Sequence, residues 1–242
     1  MPAPPLDLDA VEAQLQQRSA QDIVRWALDR WGDSVLLTTS FGVQAAVMLH
    51  LVSREREGVD VVFIDTGFHF PETYQFADEL AQRLPIRLHV YQPQVSAEWF
   101  VAREGKLWEQ DLDRYDRLRK VEPMQQALLE LDPDATFAGL RRGQTRHRAS
   151  LRHVEHADGR YKVCPILRWS TRDVFQYLKA HDLPFHPLHA RGYPSIGDWH
   201  STRPITPGED ERAGRFNGLK QECGLHLPNS DGEEASRAGS GL

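Results

Sequence analysis

The sequence contains few cysteines and no long hydrophobic run. Only Cys164 and Cys223 occur in 242 residues, which excludes the disulfide framework of a small secreted protein. No apolar stretch approaches the roughly 20 residues that a membrane-spanning helix needs. The N-terminal sequence MPAPPLDLDA lacks both the basic and the apolar region of a signal peptide. These absences predict a cytoplasmic protein that does not engage a membrane.

Positive charge and metal-binding motifs are also scarce. The net charge is −6 at pH 7, so a general nucleic-acid binder is not expected. The 11 histidines are scattered, and neither an HExxH nor a CxxC motif occurs, so no metal site is predicted. The hydrophobic fraction of 40% is ordinary for a globular protein, and the length suits one domain.

Short apolar runs alternate with segments of helical spacing. The predicted strands cover residues 34–39, 59–64, 86–91, 135–138 and 161–167. Helical segments are predicted over residues 8–31, with Ser19 as an internal cap, 44–57, 71–83, most of 95–131, and from about 170. This alternation predicts an α/β fold, a doubly wound and mostly parallel sheet with helices on both faces.

The pattern fails towards the C-terminus. From about Pro187 onward glycine, proline and charged residues dominate, and residues 227–242 have the composition of a disordered tail. We therefore expect a single domain over residues 1–226, with N-terminal helices at 8–31 and a C-terminal arm over about 204–226.

Three polar loops directly follow predicted strands, at residues 39–44, 65–67 and 139–142. In open parallel sheets, ligands bind beyond the carboxyl ends of the strands. The first loop joins a strand to a helix through a glycine turn, which presents backbone N–H groups to an anion, although an ordinary turn is the alternative. Asp65 would hold a ribose hydroxyl or an adenine amino group, or else cap a helix.

Arginines are concentrated where no acid occurs. They are Arg141, Arg142, Arg146, Arg148 and Arg152. Guanidinium groups match the oxygens of phosphate and sulfate in a bidentate manner. We predict an anion site for the first two, which follow a strand directly, whereas a solvated basic face is the alternative reading for some of the cluster.

The two cysteines have different surroundings. Cys164 lies in the apolar sequence YKVCPIL, which predicts a buried structural thiol. Cys223 lies in a polar segment, with Lys220 three residues before it and His226 three residues after it. Nearby cations lower the pKa of a thiol and raise its thiolate fraction. We therefore predict that Cys223 is reactive, the alternative being an exposed and inert thiol.

With these motifs, the chain resembles the assimilatory phosphoadenylyl-sulfate (PAPS) reductases from about Val24 to His226. The motifs that carry the resemblance are SFGVQAA (40–46), DTG (65–67), GKLWEQ (105–110), KVEP (120–123), GLRR (139–142), GYPSIG (192–197), STR (201–203) and ECGLH (222–226). The resemblance implies the adenine-nucleotide α-hydrolase-like fold. It places a modified pyrophosphate loop and further substrate contacts at Ser40, Phe41, Gly42, Gln44, Asp65, Thr66 and Gly67.

The resemblance also implies a mechanism. The Cys223 thiolate attacks the sulfur of PAPS, releases adenosine 3′,5′-bisphosphate and becomes an S-sulfonate. A thiol of thioredoxin or glutaredoxin then frees sulfite, so no neighbouring cysteine is needed. A mobile arm would close over the nucleotide and then turn to this partner. The thiolate and the sulfuryl group are both negatively charged, so fixed cations would be needed to offset their repulsion. By resemblance, Lys120, Arg212 and Arg215 line the channel, Arg141 and Arg142 lie near it, Arg203 is a further candidate, and His226 orients the thiol segment. A homodimer is expected.

A sister group, the adenylyl-sulfate (APS) reductases, binds a 4Fe–4S cluster through a Cys-Cys pair and a CxxC motif. The corresponding positions here are Tyr115, Asp116, Asp198 and Ser201. Without cysteine ligands no cluster is expected, and PAPS is the predicted substrate. A cluster-free APS reductase stays open as the alternative. For a 3′-phosphate pocket, Arg146 and Arg148 are the candidates.

Two other classes of function fit the sequence less well. An ATP pyrophosphatase or adenylating enzyme of the same fold would need a loop of the Ser-Gly-Gly-x-Asp-Ser type, which residues 40–44 do not supply. A nucleotide-binding regulator without chemistry would not depend on Cys223.

Overall fold

The computed structural model describes residues 5–206, 208–218, 220 and 222. The predictions for Cys223, His226 and the 227–242 tail lie outside these residues. The strands of the sheet are β1 (Val35–Thr39), β2 (Val59–Ile64), β3 (Ile86–Tyr91), β4 (Ala135–Phe137), β5 (Val154–Ala157) and β6 (Arg160–Val163). Their order is β3-β2-β1-β4-β6-β5. All neighbours pair in parallel except β5 and β6, which are antiparallel.

The helices follow local signals in the sequence. They are α1 (Leu8–Leu15), α2 (Ala20–Trp31), α3 (Ala45–Ser53), α4 (Pro71–Arg83), α5 (Ala97–Glu104), α6 (Leu107–Gln110), α7 (Leu112–Asp116), α8 (Glu122–Leu131) and α9 (Thr171–Ala180). A π-helical turn, Arg117–Val121, joins α7 to α8. Ser19 caps α2 by accepting from the Asp22 N–H, and Pro71 occupies the first turn of α4, where no N–H partner is lost.

Alternate residues of the central strands enter different cores. Val35 and Leu37 of β1 pack in the main hydrophobic cluster with residues of α2, α3, α4 and α9. Leu36, between them, packs in a second cluster with Val62 and with Ala127 of α8. Because side chains alternate across a strand, helices cover both faces of the sheet. The predicted α/β class with a mostly parallel sheet is confirmed.

The helical segment expected over residues 8–31 forms two helices, and Ser19 caps the second of them as expected. Two strands differ from expectation. The predicted strand over 161–167 ends at Val163, because the chain turns back and the Leu167 N–H donates to the carbonyl of Cys164. Strand β5 was not predicted, because its short sequence VEHA is half polar and its last two residues are exposed at the edge of the sheet.

The order of the strands decides where a ligand binds. From β1 the chain moves outward through β2 to β3, and it then returns to the other side of β1 with β4. This reversal is a switch point, beside which open sheets leave a crevice at the carboxyl ends of the strands. Within the residues described, no helix combines the length and apolar character that crossing a membrane requires.

Candidate active site

A cavity of about 250 Å³ lies at this switch point. Its wall includes the ends of β1 and β4, the loop after β1, and the segment 194–198. The predicted site residues that line it are Ser40, Gly42, Gln44, Thr66, Lys120, Arg212 and Arg215. Met48, Met124 and Leu128 add apolar surface. Folding therefore brings residues from distant parts of the chain to one cavity with both an apolar and a cationic lining.

The loop after β1 is anchored by Phe41. This residue has a positive φ of 47°, which is uncommon for a residue with a large side chain. Its ring is fully buried and packs edge-on against Phe63 at 5.1 Å between ring centroids. Phe41 was expected among the substrate contacts, but its side chain belongs to the core. Burial of the ring leaves Ser40 and Gly42 at the cavity, beside the N-terminus of α3, which favours anions.

In the loop after β2, residues 65–67, some groups face the interior of the fold and others face the cavity. The Asp65 carboxylate accepts from the Gly67 N–H at 2.8 Å, from the Tyr74 hydroxyl at 2.6 Å and from the Gln92 amide at 2.7 Å. Burial alone would raise the pKa of Asp65, but these hydrogen bonds hold it below its usual value. Asp65 and Gly67 are not among the described lining residues, whereas Thr66 is. The structure therefore gives Asp65 the role of organising the turn.

Lys120 lies in the π-helical turn, a geometry that often occurs at functional sites. Its ammonium nitrogen is 2.7 Å from Oδ1 of Asp116 and 2.8 Å from Oδ2 of Asp198. The other carboxylate oxygen of Asp198 accepts from the Thr66 hydroxyl at 2.6 Å. All four side chains are buried, although Lys120 and Thr66 also line the cavity. The ammonium group therefore has a defined position at the cavity wall.

Asp198 is fully buried and remains ionised. Burial alone would raise its pKa, but Lys120, His69 and His200 hold the pKa well below the usual range. The Tyr115 hydroxyl also donates to Asp198 at 3.2 Å and lies 2.8 Å from a ring nitrogen of His200. This polar network links the two segments in which the sister group would carry its cluster ligands.

The C-terminal segment contributes two arginines. One guanidinium nitrogen of Arg215 donates to the carbonyl of Ile196 at 2.7 Å. Arg212 donates to the Ser195 hydroxyl at 3.4 Å. A side chain at Gly197 would overlap the guanidinium group of Arg215. The lack of a side chain at residue 197 therefore allows Arg215 to reach the cavity.

Arg141 and Arg142, the first two arginines of the basic segment over residues 141–152, have other partners. Arg141 donates to both carboxylate oxygens of Glu211, at 2.7 and 3.0 Å, and to Gln44. Arg142 donates to Glu12 of α1 at 2.9 Å. Neither is among the described lining residues. The structure thus places these side chains in contacts that join parts of the fold, not in the expected anion site.

Arg203 and Arg146 also lie outside the described lining of the cavity. Arg203 pairs with Glu209 at 2.8 Å on the surface. Arg146 is exposed. The predicted contributions of these arginines to the substrate site therefore have no geometric support.

Arg148 differs, because it lines the cavity and also holds the C-terminal segment. Its guanidinium group binds both carboxylate oxygens of Glu222, at 2.8 and 2.6 Å, and the Thr145 hydroxyl donates to the same carboxylate at 2.8 Å. Burial alone would raise the pKa of Glu222, but Arg148 holds it below its usual value. Glu222 is the residue immediately before Cys223 in the chain.

Cys164 is a buried thiol, as predicted. It packs with Ala138, Leu140, Leu151 and Leu167. Burial raises its pKa to about 12, so the thiol stays protonated at neutral pH. This environment excludes Cys164 as a ready nucleophile.

The network around Asp198 does not follow from the sequence pattern. In the sequence, Tyr115, Asp116 and Asp198 are distinguished only as positions without cysteine, and nothing marks His200. The acidic residue directly after the GYPSIG motif was an available signal. Across the residues that the structure covers, no group of three or more His, Cys, Asp or Glu side chains is arranged to hold a metal ion.

Comparison with known proteins gives consistent matches. Residues 34–204 match the phosphoadenosine phosphosulfate reductase domain family. A phosphoadenosine 5′-phosphosulfate reductase of Synechocystis sp. is 53% identical over 230 residues, which cover 93% of this chain and 92% of that protein. A protein of the same name from Xanthomonas axonopodis pv. citri is 52% identical over 223 residues, covering 91% and 92%.

Solved structures show the same likeness. The PAPS reductase of Candida auris, in a phosphate complex, superimposes with a TM-score of 0.74 and 35% identity, over 84% of this chain and 99% of that chain. An FMN adenylyltransferase of Candida glabrata, bound to FMN and an ATP analogue, gives a TM-score of 0.61 at 15% identity, over 96% and 81%. The second likeness concerns the fold alone.

Proposed function

The chain belongs to the phosphoadenosine phosphosulfate reductase family, and from this premise we propose that it reduces PAPS to sulfite and adenosine 3′,5′-bisphosphate in sulfate assimilation. It is thus an oxidoreductase acting on a sulfur group. The observation that carries the proposal is the cavity at the switch point, where Lys120, Arg212 and Arg215 converge. The residue before Cys223 is anchored to Arg148, which lines the same cavity.

The cavity suits a nucleotide with an anionic tail. Apolar surface from Met48, Met124 and Leu128 accommodates a base, which has an apolar face. Ser40 and the N-terminus of α3 provide hydrogen-bond donors and a positive dipole end for a phosphate. The described cationic side chains that line the cavity are Lys120, Arg148, Lys162, Arg212 and Arg215. Of these, Lys120, Arg212 and Arg215 then bind the sulfuryl end of the substrate.

In the first step, the Cys223 thiolate attacks the sulfuryl sulfur. A bond forms between the two sulfur atoms, and the bond from that sulfur to the bridging phosphate oxygen breaks. Adenosine 3′,5′-bisphosphate leaves with the electron pair, and Cys223 carries an S-sulfonate group. Because thiolate and substrate are both anionic, their approach in a site of low dielectric requires fixed positive charge. Lys120, Arg212 and Arg215 supply this charge.

In the second step, a dithiol protein of the thioredoxin or glutaredoxin class attacks the Cys223 sulfur. Sulfite leaves, and a mixed disulfide remains. The second thiol of the partner then attacks this disulfide, so that Cys223 is restored as a thiol and the partner is oxidised to a disulfide. The dithiol thus supplies both electrons of the reduction. Within this proposal, the enzyme works in the cytoplasm, forms a homodimer, and comprises one reductase domain over residues 1–226.

The proposal includes no iron–sulfur cluster. Such clusters are held by cysteine thiolates, and the positions in question are Tyr115, Asp116, Asp198 and Ser201. Hydrogen bonds and ion pairs with neighbouring groups already use the phenol and both carboxylates. The donor set therefore does not fit a cluster.

The decisive experiment is incubation with PAPS, without a reductant, followed by intact-mass measurement and peptide mapping. We expect an SO₃ adduct on Cys223, and a thioredoxin thiol should then release sulfite from it. Cys223→Ser should lose both the adduct and the sulfite. Cys164→Ala is the matched control and should keep both, because its thiol is buried in the core. Sulfite production by Cys223→Ser would contradict the thiol mechanism.

The choice of nucleotide needs a separate assay. PAPS and APS should be compared as substrates, with sulfite release measured for each. We expect a clear preference for PAPS. Equal turnover of the two nucleotides would remove the substrate assignment and would favour a cluster-free APS reductase.

A further inference from the structure

Two carboxylates from distant segments hold the ammonium group of Lys120. Asp116 belongs to the end of α7, one turn earlier, whereas Asp198 comes from the segment after the GYPSIG motif. Their oxygens lie 2.7 and 2.8 Å from the nitrogen, and both carboxylates are almost completely buried. Lys220 lies 2.6 Å from the second oxygen of Asp116, so a further cation balances this carboxylate from outside.

Asp198 cannot turn to follow Lys120, because its own partners fix it. Thr66 donates to one oxygen, and Tyr115 donates to the other. Tyr115 is in turn 2.8 Å from His200, whose ring stacks on Trp108 at 4.1 Å between centroids. A rigid carboxylate in a water-poor setting specifies the position of the ammonium group that it binds.

Stability alone is a weak explanation of this arrangement. Buried ion pairs contribute little net free energy, since desolvation offsets most of the attraction. An apolar residue at position 120 would fill the same space between the rings of Tyr115 and Phe216, which lie 5.3 and 5.4 Å from the ammonium nitrogen. The arrangement instead places a positive charge at the wall of the cavity, next to Arg212 and Arg215.

We propose that Asp198 is a positioning residue of the reductase, which holds the Lys120 ammonium group where the sulfuryl group of the substrate is bound. Asp116 is the second carboxylate that holds the ammonium group of Lys120. Asp116 also pairs with Lys220, which precedes Cys223 by three residues, so it links Lys120 to the segment that carries the thiol. The inference depends on the proposed function, because it assumes a sulfuryl substrate.

The test uses Asp198→Asn, which keeps the shape of the side chain and removes its charge. Two quantities are measured: the single-turnover rate of S-sulfonate formation at saturating PAPS, and the affinity for adenosine 3′,5′-bisphosphate. A misplaced catalytic group costs on the order of tenfold to a hundredfold in rate, so we expect at least a tenfold loss. The affinity for the bisphosphate, which lacks a sulfuryl group, should change by less than about threefold.

A double-mutant cycle separates positioning from a structural role. If Asp198 acts through Lys120, then Asp198→Asn should cost little further rate in a Lys120→Met background. Additive losses, or a loss of bisphosphate affinity equal to the loss of rate, would overturn the proposal. Where Asp198→Asn fails to fold, Tyr115→Phe replaces it in the same cycle, because it removes one hydrogen bond to Asp198 and keeps every charge.

Asp116 has a matched control in Lys220. Asp116→Asn removes the carboxylate from both lysines, whereas Lys220→Ala removes the pairs of Lys220 with Asp116 and with the exposed Asp113 and leaves Lys120 with both of its carboxylates. We expect the larger loss of S-sulfonate formation for Asp116→Asn. Equal losses would mean that Asp116 acts on the thiol segment and not on Lys120. Absence of the adduct in the unmodified enzyme would instead defeat the proposed function, so the two failures are distinguishable.

Discussion

Two basic regions of the molecule are used in opposite ways. The segment 141–152 contains a dense run of arginines. Of these, Arg141 pairs with Glu211 and Arg142 pairs with Glu12, and both pairs connect parts of the fold. The cavity instead combines Lys120, from the π-helical turn before α8, with Arg212 and Arg215 of the C-terminal segment, and Arg148 and Lys162 also line it. The comparison shows that a local excess of charge does not identify a site. A site is identified by cations that converge at the switch point, because the attraction of a bound anion depends on distance in space and not on separation in sequence.

Among substitutions of the cations, the largest effect on catalysis is expected for Arg215→Ala. Removing one preorganised donor from the charge that develops in a transition state costs about 10²–10³ in rate. We therefore expect kcat/KM for sulfite formation to fall by roughly that factor. Thermal unfolding of the variant should stay close to that of the parent. A loss below threefold would contradict the catalytic role of Arg215.

Gly197→Ala tests the same cation without removing it. The new Cβ atom would overlap the guanidinium group of Arg215, which must move away. Since the end of a flexible side chain shifts easily, stability should change little, whereas misplacement should lower kcat/KM about tenfold.

The matched control for this variant is Gly143→Ala, in the basic segment. No atom lies within 4 Å of a Cβ built there, so activity should be retained. Equal behaviour of the two alanine variants would refute the geometric explanation.

Glu222→Gln probes Arg148, the member of the basic segment that does reach the cavity. Loss of one partner from a buried ion pair should cost about 3 kcal/mol in the free energy of unfolding. Sulfite formation should fall severalfold, because the residue before Cys223 loses its anchor. Denaturant titration and steady-state assays at neutral pH measure the two effects.

The same pair predicts a pH dependence. Because the folded-state pKa of Glu222 is below its ordinary value of 4.5, the pair adds stability above about pH 4.5 and loses it as the pH falls through the lowered pKa. Glu222→Gln should lack this component. An identical slope of unfolding free energy against pH in both proteins would contradict the assignment.

Among the arginine substitutions, the smallest effect on catalysis is expected for Arg142→Ala. Its half-exposed pair with Glu12 ties the loop after β4 to α1, so its loss should lower the unfolding free energy by about 1–2 kcal/mol. The activity per folded molecule should remain within about twofold of the parent. A hundredfold loss, like that expected for Arg215→Ala, would erase the contrast between the two regions.

Much of the fold follows from the local sequence pattern, which fails where contacts between distant residues decide the structure. Strand β2 and helix α4 have the predicted bounds, because an apolar run and a proline at the first turn act locally. Strand β5 was missed, since at the sheet edge pairing with β6 outweighs its polar composition. The core position of the Phe41 ring does not follow from the loop sequence, because a loop residue of a binding motif can also serve as the anchor of that loop.

The sequence by itself determined the α/β class, the polar loops after the strands and the isolated setting of Cys223, because each depends on residues that are neighbours in the chain. Only the tertiary structure decided which cations face the cavity and that Asp198 grips Lys120. These contacts join segments that are far apart in sequence, and their pairing depends on how the strands and loops meet at the switch point. No local pattern encodes the distance between two side chains that folding alone brings together.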